Sequence, residues 1–379
     1  MTQRRGRVLI ASDKFKGSLS AAEVADRVAV GVRRVRPQVA IEALPIADGG
    51  DGTVAAAVTA GFERRELTVT GPLGTPVTAA FALRGDTAVV EMAQAAGLQL
   101  LPRGTFVPLT GTTHGVGELL RAALDAGART VVLGVGGSAT TDGGAGMLAA
   151  LGARLLDADG APVARGGAPL RTLATVDLTG LDPRLADTEI ILASDVDNPL
   201  TGPRGAAAVY GPQKGASEQD VEVLDQALAH YARVLGRAAG PRAAELVTAP
   251  GAGAAGGVGY GALVALDATF RPGVRVLMDV LDFDTALRRA DLVVTGEGSL
   301  DRQTLHGKAP AGVAEAARAA GRPVVAVCGR LAVSGAELAA AGFTAAYALT
   351  DLEPDPRRCI EQAGPLLERL AERLAAERL

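Results

Sequence analysis

Between Thr130 and Ala150 the chain reads TVVLGVGGSATTDGGAGMLAA, and this stretch limits the folds open to the whole sequence. Val131, Val132, Leu133 and Val135 are β-branched or apolar, the pattern of a buried strand. Gly134, Gly136, Gly137, Gly143, Gly144 and Gly146 follow, interleaved with Ser138, Thr140, Thr141 and Asp142. Met147 to Leu151 then resumes a helix-like run. Strand, polar glycine loop and helix together are the unit from which parallel α/β sheets are built. Glycine has no Cβ, so this backbone can approach an anion closely, and the N–H groups at a helix start point at it. A tight strand-to-helix turn uses the same glycines. The serine, threonines and aspartate within the loop favour a phosphate site.

The flanking sequence repeats this alternation. Arg7–Ser12 (RVLIAS) reads as a buried strand and Ser20-Ala21-Ala22-Glu23 as a capping box. Val24, Val28, Val32 and Val35 mark one helical face, which Pro37 ends. Val39–Pro45 is a second strand, leading through ADGGDGT to a helix over Val54–Ala60. Arg64–Thr70, Val77–Leu83 and Thr87–Glu91 then read as an antiparallel meander with Gly and Pro turns. Arg154–Leu156 before DADG reads as a hairpin. Glu189–Ser194 is a strand, Ser217 opens a long amphipathic helix, and GAGAAGGVGYG (Gly251–Gly261) is a loop into a helix near Tyr260–Leu266. Asp291–Thr295, Pro323–Cys328 and Ala345–Leu349 are strands around a helix over Ala309–Ala320, and a last helix runs from about Cys359. The two chain ends are therefore expected to share one parallel sheet. The fold class is α/β: a Rossmann-like parallel-sheet domain built from residues 1–75 and 285–379, and an inserted second α/β domain over 76–284 carrying the glycine-rich loop.

Composition narrows the function. With 379 residues, 48% apolar, the chain can bury a large core. A net charge of −4 gives no nucleic-acid footprint, and no apolar run spans a membrane. MTQRRGRVLIAS lacks the apolar core of a signal peptide, so a cytoplasmic setting is expected. Cys328 and Cys359 form neither a disulfide framework nor a metal pattern. Of 38 basic residues only Lys14, Lys16, Lys214 and Lys308 are lysines, and they fall in the glycine-bearing stretches KFKG, QKG and HGK. In so arginine-rich a chain, a lysine reads as kept for its compact ammonium.

The strand-end loops carry Asp13, Asp48, Asp51, Asp142, Asp195, Asp197, Glu297 and Asp301 beside those four lysines. Phosphoryl transfer needs cations on the phosphates, carboxylates for Mg²⁺, a base for the attacking hydroxyl and backbone donors for the developing charge. All are present, although the chain holds neither a Walker A motif nor the protein-kinase motifs. Asp48 and Asp51 also read as caps of the following helix, Asp197-Asn198-Pro199 as an Asx turn, and His114 as a hydrogen-bonded loop histidine. Two other classes stay open from the residues. Gly134–Ala139 fits G-x-G-x-x-A with Asp157 or Asp159 downstream, as in a dinucleotide oxidoreductase. A nucleotide- or metabolite-sensing module would need only the glycines.

Seven stretches, in order along nearly the whole chain, carry a resemblance: SDKFKGSLSA (Ser12–Ala21), PIADGGDGT (Pro45–Thr53), GTTHGVGELL (Gly111–Leu120), GVGGSATTDGGAG (Gly134–Gly146), SDVDNPLTGPRGAA (Ser194–Ala207), YGPQKGA (Tyr210–Ala216) and TGEGSLDRQTLHGK (Thr295–Lys308). They resemble the bacterial glycerate kinases of the type I family. The resemblance implies ATP-dependent phosphorylation of D-glycerate, with 2-phosphoglycerate the expected product, in glycerate, glyoxylate or sugar-acid catabolism. It implies ATP and Mg²⁺ as cofactors and a monomer or homo-oligomer with neither nucleic-acid nor membrane partners. In that framework Gly136, Gly137, Ser138 and Thr140 are expected to face ATP phosphates or the glycerate carboxylate. Asp48, Asp51 and Asn198 join them in binding. Asp195 is the expected general base or Mg²⁺ ligand, with Glu297 and Asp301 as competing metal ligands. Lys14 and Lys16 are expected to hold the transferring phosphoryl or the carboxylate, and Lys214 and Lys308 to share that work.

Overall fold

The computed structural model describes residues 6–306 and 308–379. The chain divides into two compact units: one takes the chain up to Asp48, Ala55–Ala60 and Val274–Leu379, the other Gly49–Val54 and Gly61–Gly273.

The first unit is built on a five-stranded sheet in the order Ala345–Ala348, Val324–Leu331, Leu292–Leu300, Arg7–Ile10, Ala40–Ala43, every pair parallel. Both chain ends thus share one sheet. Parallel neighbours need a crossover, and Ala21–Val35 supplies the first. Ser20 and Glu23 close a capping box at its start, and Val24, Val28 and Val32 are buried. The helix Ala363–Arg378 packs on it, and the largely buried Glu368 carboxylate takes Arg27 at 2.6 Å and Arg34 at 2.7 Å. From Arg7–Ile10 the chain steps outward to Ala40–Ala43. From Leu292–Leu300 it steps the opposite way. The order therefore reverses between the two central strands, and open α/β sheets bind ligands outside the strand C-termini at such a point.

The second unit has a six-stranded sheet in the order Thr269–Arg271, Glu189–Ala193, Thr130–Gly134, Thr87–Glu91, Pro76–Arg84, Glu63–Thr70. The first four strands are mutually parallel and the last three form the expected antiparallel meander. Glu63–Thr70 pairs with Pro76–Arg84 over eight residue pairs, so the meander cannot be parted at the expected boundary of 75/76. The compact units change over near residue 60, and again at Gly273 rather than at 284/285.

One further element differs from expectation, and two carry detail beyond it. The strand starting at Leu292 does not stop at Thr295 but continues through Gly296, Glu297 and Gly298 to Leu300, because Val324–Leu331 stays paired alongside it. Arg154–Leu156 does return through the turn at Asp157–Gly160, with an antiparallel bridge from Leu156 to Pro162, and it pairs as well with Thr175–Asp177. The glycine-dense segment is the expected loop into a helix, reversing through left-handed Ala255, Gly256 and Gly257 before the helix runs to Ala265.

Candidate active site

In the first unit the strand ends at the reversal point carry the charge. Asp13 follows Arg7–Ile10, and its N–H donates to Gly296 O on the neighbouring strand at 2.9 Å. The Lys14 N–H donates to Asp13 Oδ1 at 2.7 Å. Buried Phe15 anchors the loop, bonded both ways to Leu19 (2.8 and 3.0 Å), which leaves Lys14 half-buried and Lys16 exposed. Gly298 lets the adjacent strand approach, since a Cβ there would sit 3.2 Å from Lys16 N. Burial, and then the negative charge of Asp48, push the Asp13 carboxyl up to about 7, with Glu297 acting in the same direction.

Glu297 Oε2 lies 3.6 Å from Lys308 Nζ. Its Oε1 is buried and finds no hydrogen-bond partner among the described residues, as do the Ser12 and Thr295 hydroxyls. Burial raises the Glu297 pKa. Asp301, the other expected metal ligand, closes a turn: its Oδ1 accepts from Thr304 N at 3.1 Å, which lowers its pKa. Among the described residues no three His, Cys, Asp or Glu side chains come together as a metal cage. Mg²⁺ does not need one, since it keeps several waters and takes one or two carboxylates plus phosphate oxygens. The carboxylates of Asp13, Asp48 and Glu297 fit that requirement, because a cation would offset the like-charge repulsion from Asp48 and Glu297 that adds to burial in raising Asp13.

In the second unit the glycine-rich loop makes room for the chain's own backbone. A Cβ at Gly134 would sit 2.7 Å from Gly49 O, and one at Gly136 would overlap Gly50 Cα. At Gly137, where φ is +73°, it would overlap Asp51 Oδ1. The Cβ positions of Gly136 and Gly137, residues expected to face ATP phosphates or the glycerate carboxylate, are taken up by Gly50 and Asp51 of the chain itself. Ser138 is buried, and Thr140 is fully enclosed, its hydroxyl without a partner among the described residues. Thr140 is thus not presented to a phosphate in this structure.

Lys214 is corrected likewise. It is buried, and its Nζ donates to Thr140 O at 2.6 Å. Burial pushes its pKa down to about 7, with the Asp142 carboxylate working against that. Asp142 is itself enclosed and accepts from Thr113 N (2.9 Å), Thr113 Oγ1, Gly144 N (3.1 Å) and Gly146 N (3.3 Å). Asn198 spends both ends of its amide internally: Nδ2 donates to Arg204 O and Oδ1 accepts from the Tyr210 hydroxyl, each at 2.8 Å. It braces its own loop instead of facing outward. Asp195 is exposed just past Glu189–Ala193, with Oδ1 accepting from Gly273 N at 2.9 Å.

Two acids stand out beyond the expected set. Asp13 was visible as the acid ending the first strand, but its raised pKa depends on Asp48 and Glu297, far away in sequence. Glu91 is buried at the end of Thr87–Glu91 and accepts from Val54 N at 3.0 Å, so it holds the Gly49–Val54 segment. A lone acid after an apolar run gives no signal of that.

The family model described as "Glycerate kinase family" matches residues 8–378. The "Glycerate kinase" of Bacillus subtilis (strain 168) is 46% identical over 373 residues, 98% of this chain and 97% of that one. The "Glycerate 2-kinase" of Escherichia coli (strain K12) is 46% identical over 329 residues, 86% of this chain and 85% of its own length. The crystal structure of a Salmonella typhimurium LT2 protein, 43% identical, superposes with a TM-score of 0.85 and covers 99% of this chain and 98% of that one.

Proposed function

The chain belongs to the glycerate kinase family, and we propose that it transfers the γ-phosphoryl group of MgATP to a hydroxyl of D-glycerate, giving 2-phosphoglycerate. The observation that carries this reading is the charge set at the reversal point of the first sheet, where Asp13, Asp48 and Glu297 gather with Lys14 and Lys308. Phosphoryl transfer asks the protein mainly for position and charge stabilisation. Glu297, with a spare buried oxygen, and Asp48 would hold Mg²⁺, which would supply positive charge against that of the phosphates. Lys14, exposed Lys16 and Lys308 supply cations for the phosphates or the glycerate carboxylate. Asp195, held by Gly273 N–H and open to solvent, accepts the proton of the attacking hydroxyl. The choice of the 2-hydroxyl is supported by the name of the Escherichia coli relative.

The test is ADP release from ATP with and without D-glycerate, with and without Mg²⁺, for the wild type and Asp195→Asn. Turnover should require glycerate and Mg²⁺, and the variant should lose about 10²- to 10⁴-fold in kcat. An Asp195→Asn protein with wild-type turnover removes the base assignment. Glycerate-independent turnover, or none at all, removes the function.

A further inference from the structure

The geometry points to Lys214 as a positioning residue, which fixes the Thr140–Thr141 peptide of the glycine-rich loop through a hydrogen bond to the Thr140 carbonyl and does not touch phosphate. The inference rests on the proposed phosphoryl transfer for its kinetic consequence, and on the structure alone for its effect on the loop.

Burying an ammonium is costly, and an apolar side chain of similar length would fill the same space without that cost. Packing alone therefore gives no reason for a lysine at this place. What the ammonium adds is a strong donor in an enclosed region. Its Nζ lies 2.6 Å from Thr140 O, in the middle of the loop. The same carbonyl lies against Gly256, where a Cβ would overlap it; Gly256 is left-handed (φ +69°) and its own carbonyl accepts from Gly143 N at 3.0 Å. The lysine is itself set in place by the turn Pro212–Lys214, which ends at left-handed Gly215 (φ +86°). Beyond Thr140 the loop is pinned by Asp142, through Thr113, Gly144 and Gly146. Without Lys214 the Thr140 carbonyl is an unpaired buried acceptor, and the peptide is free to rotate toward another donor. On the N-terminal side the loop has its own backbone partners, with Ala139 N–H donating to Ala96 O at 2.8 Å and Leu98 N–H to Gly137 O at 2.9 Å, so the stretch that Lys214 holds is the one between Ala139 and Asp142.

The experiment compares Lys214→Met, which keeps the volume and loses the donor, with Lys214→Gln, which keeps an N–H donor and loses the charge. Amide hydrogen exchange over residues 139–146 and steady-state kinetics are measured on the folded proteins. Lys214→Met should speed exchange in this segment about 10- to 100-fold and lower kcat by a similar factor, the worth of one hydrogen bond from a charged group. KM for MgATP should change less than about threefold, and Lys214→Gln should recover most of both effects. Unchanged loop exchange in Lys214→Met overturns the inference whatever the enzyme's substrate proves to be. So does an equal loss in both variants with KM for MgATP raised more than tenfold, which marks a phosphate contact. A wild type with no glycerate-dependent turnover removes the proposed reaction instead, and the exchange measurement still decides the role of Lys214.

Discussion

A methyl group added at Gly136 would meet Gly50 Cα, backbone against backbone with no flexible side chain to give way. Gly136→Ala should therefore destabilise the protein by about 1–3 kcal/mol, the usual cost of overpacking, and lower kcat/KM with it. Gly335 is the control. It opens the helix Gly335–Ala340 with nothing near its missing Cβ, so Gly335→Ala should be neutral or stabilise by up to about 1 kcal/mol. Urea titration of the two variants checks both signs. The glycines of GVGGSATTDGG were conspicuous in the sequence, but a missing Cβ does not say what takes its place. Beside Gly134, Gly136 and Gly137 it is the chain's own Gly49–Asp51 segment. Lys214 and Asn198 repeat the lesson: their polarity marked them, and only the fold shows that both are spent on backbone and side-chain partners within the protein.

At the scale of elements, those with a local signal were legible. The capping box at Ser20, the helix start at Ser217, the valine face of Ala21–Val35 and the Gly-Pro turns of the meander all sit where the sequence put them. Elements decided by a distant partner were not. Leu292–Leu300 runs on through two glycines because Val324–Leu331 pairs with it to its end. The segment after Gly251 is the expected loop into a helix, but the left-handed reversal inside it depends on close packing against the Thr140–Gly143 backbone. That reversal holds Ala255 at φ 54°, a conformation that costs an L-residue about 1 kcal/mol. Ala255→Gly should raise the unfolding free energy by a few tenths to about 1 kcal/mol, where glycine inside a regular helix would lower it. A fall in stability on thermal melting would show that this turn is not strained as described.

On the scale of the whole molecule, the parallel sheet built from both chain ends followed from βαβ alternation in the sequence, and the strand reversal at its centre accounts for where its carboxylates and lysines gather. The division into units was legible in outline only, because strand pairing and not composition sets its edges. The membership of the glycerate kinase family and the charge set at the reversal point converge on one reaction. Proton-coupled phosphorus NMR of the product formed from ATP and D-glycerate tests it most directly. Phosphate on the 2-hydroxyl is coupled to a single methine proton, so a doublet is expected in addition to the ADP signals. A triplet would place the phosphate on the 3-hydroxyl, next to a methylene, and contradict the proposed product. The absence of any new phosphate ester would contradict the reaction itself.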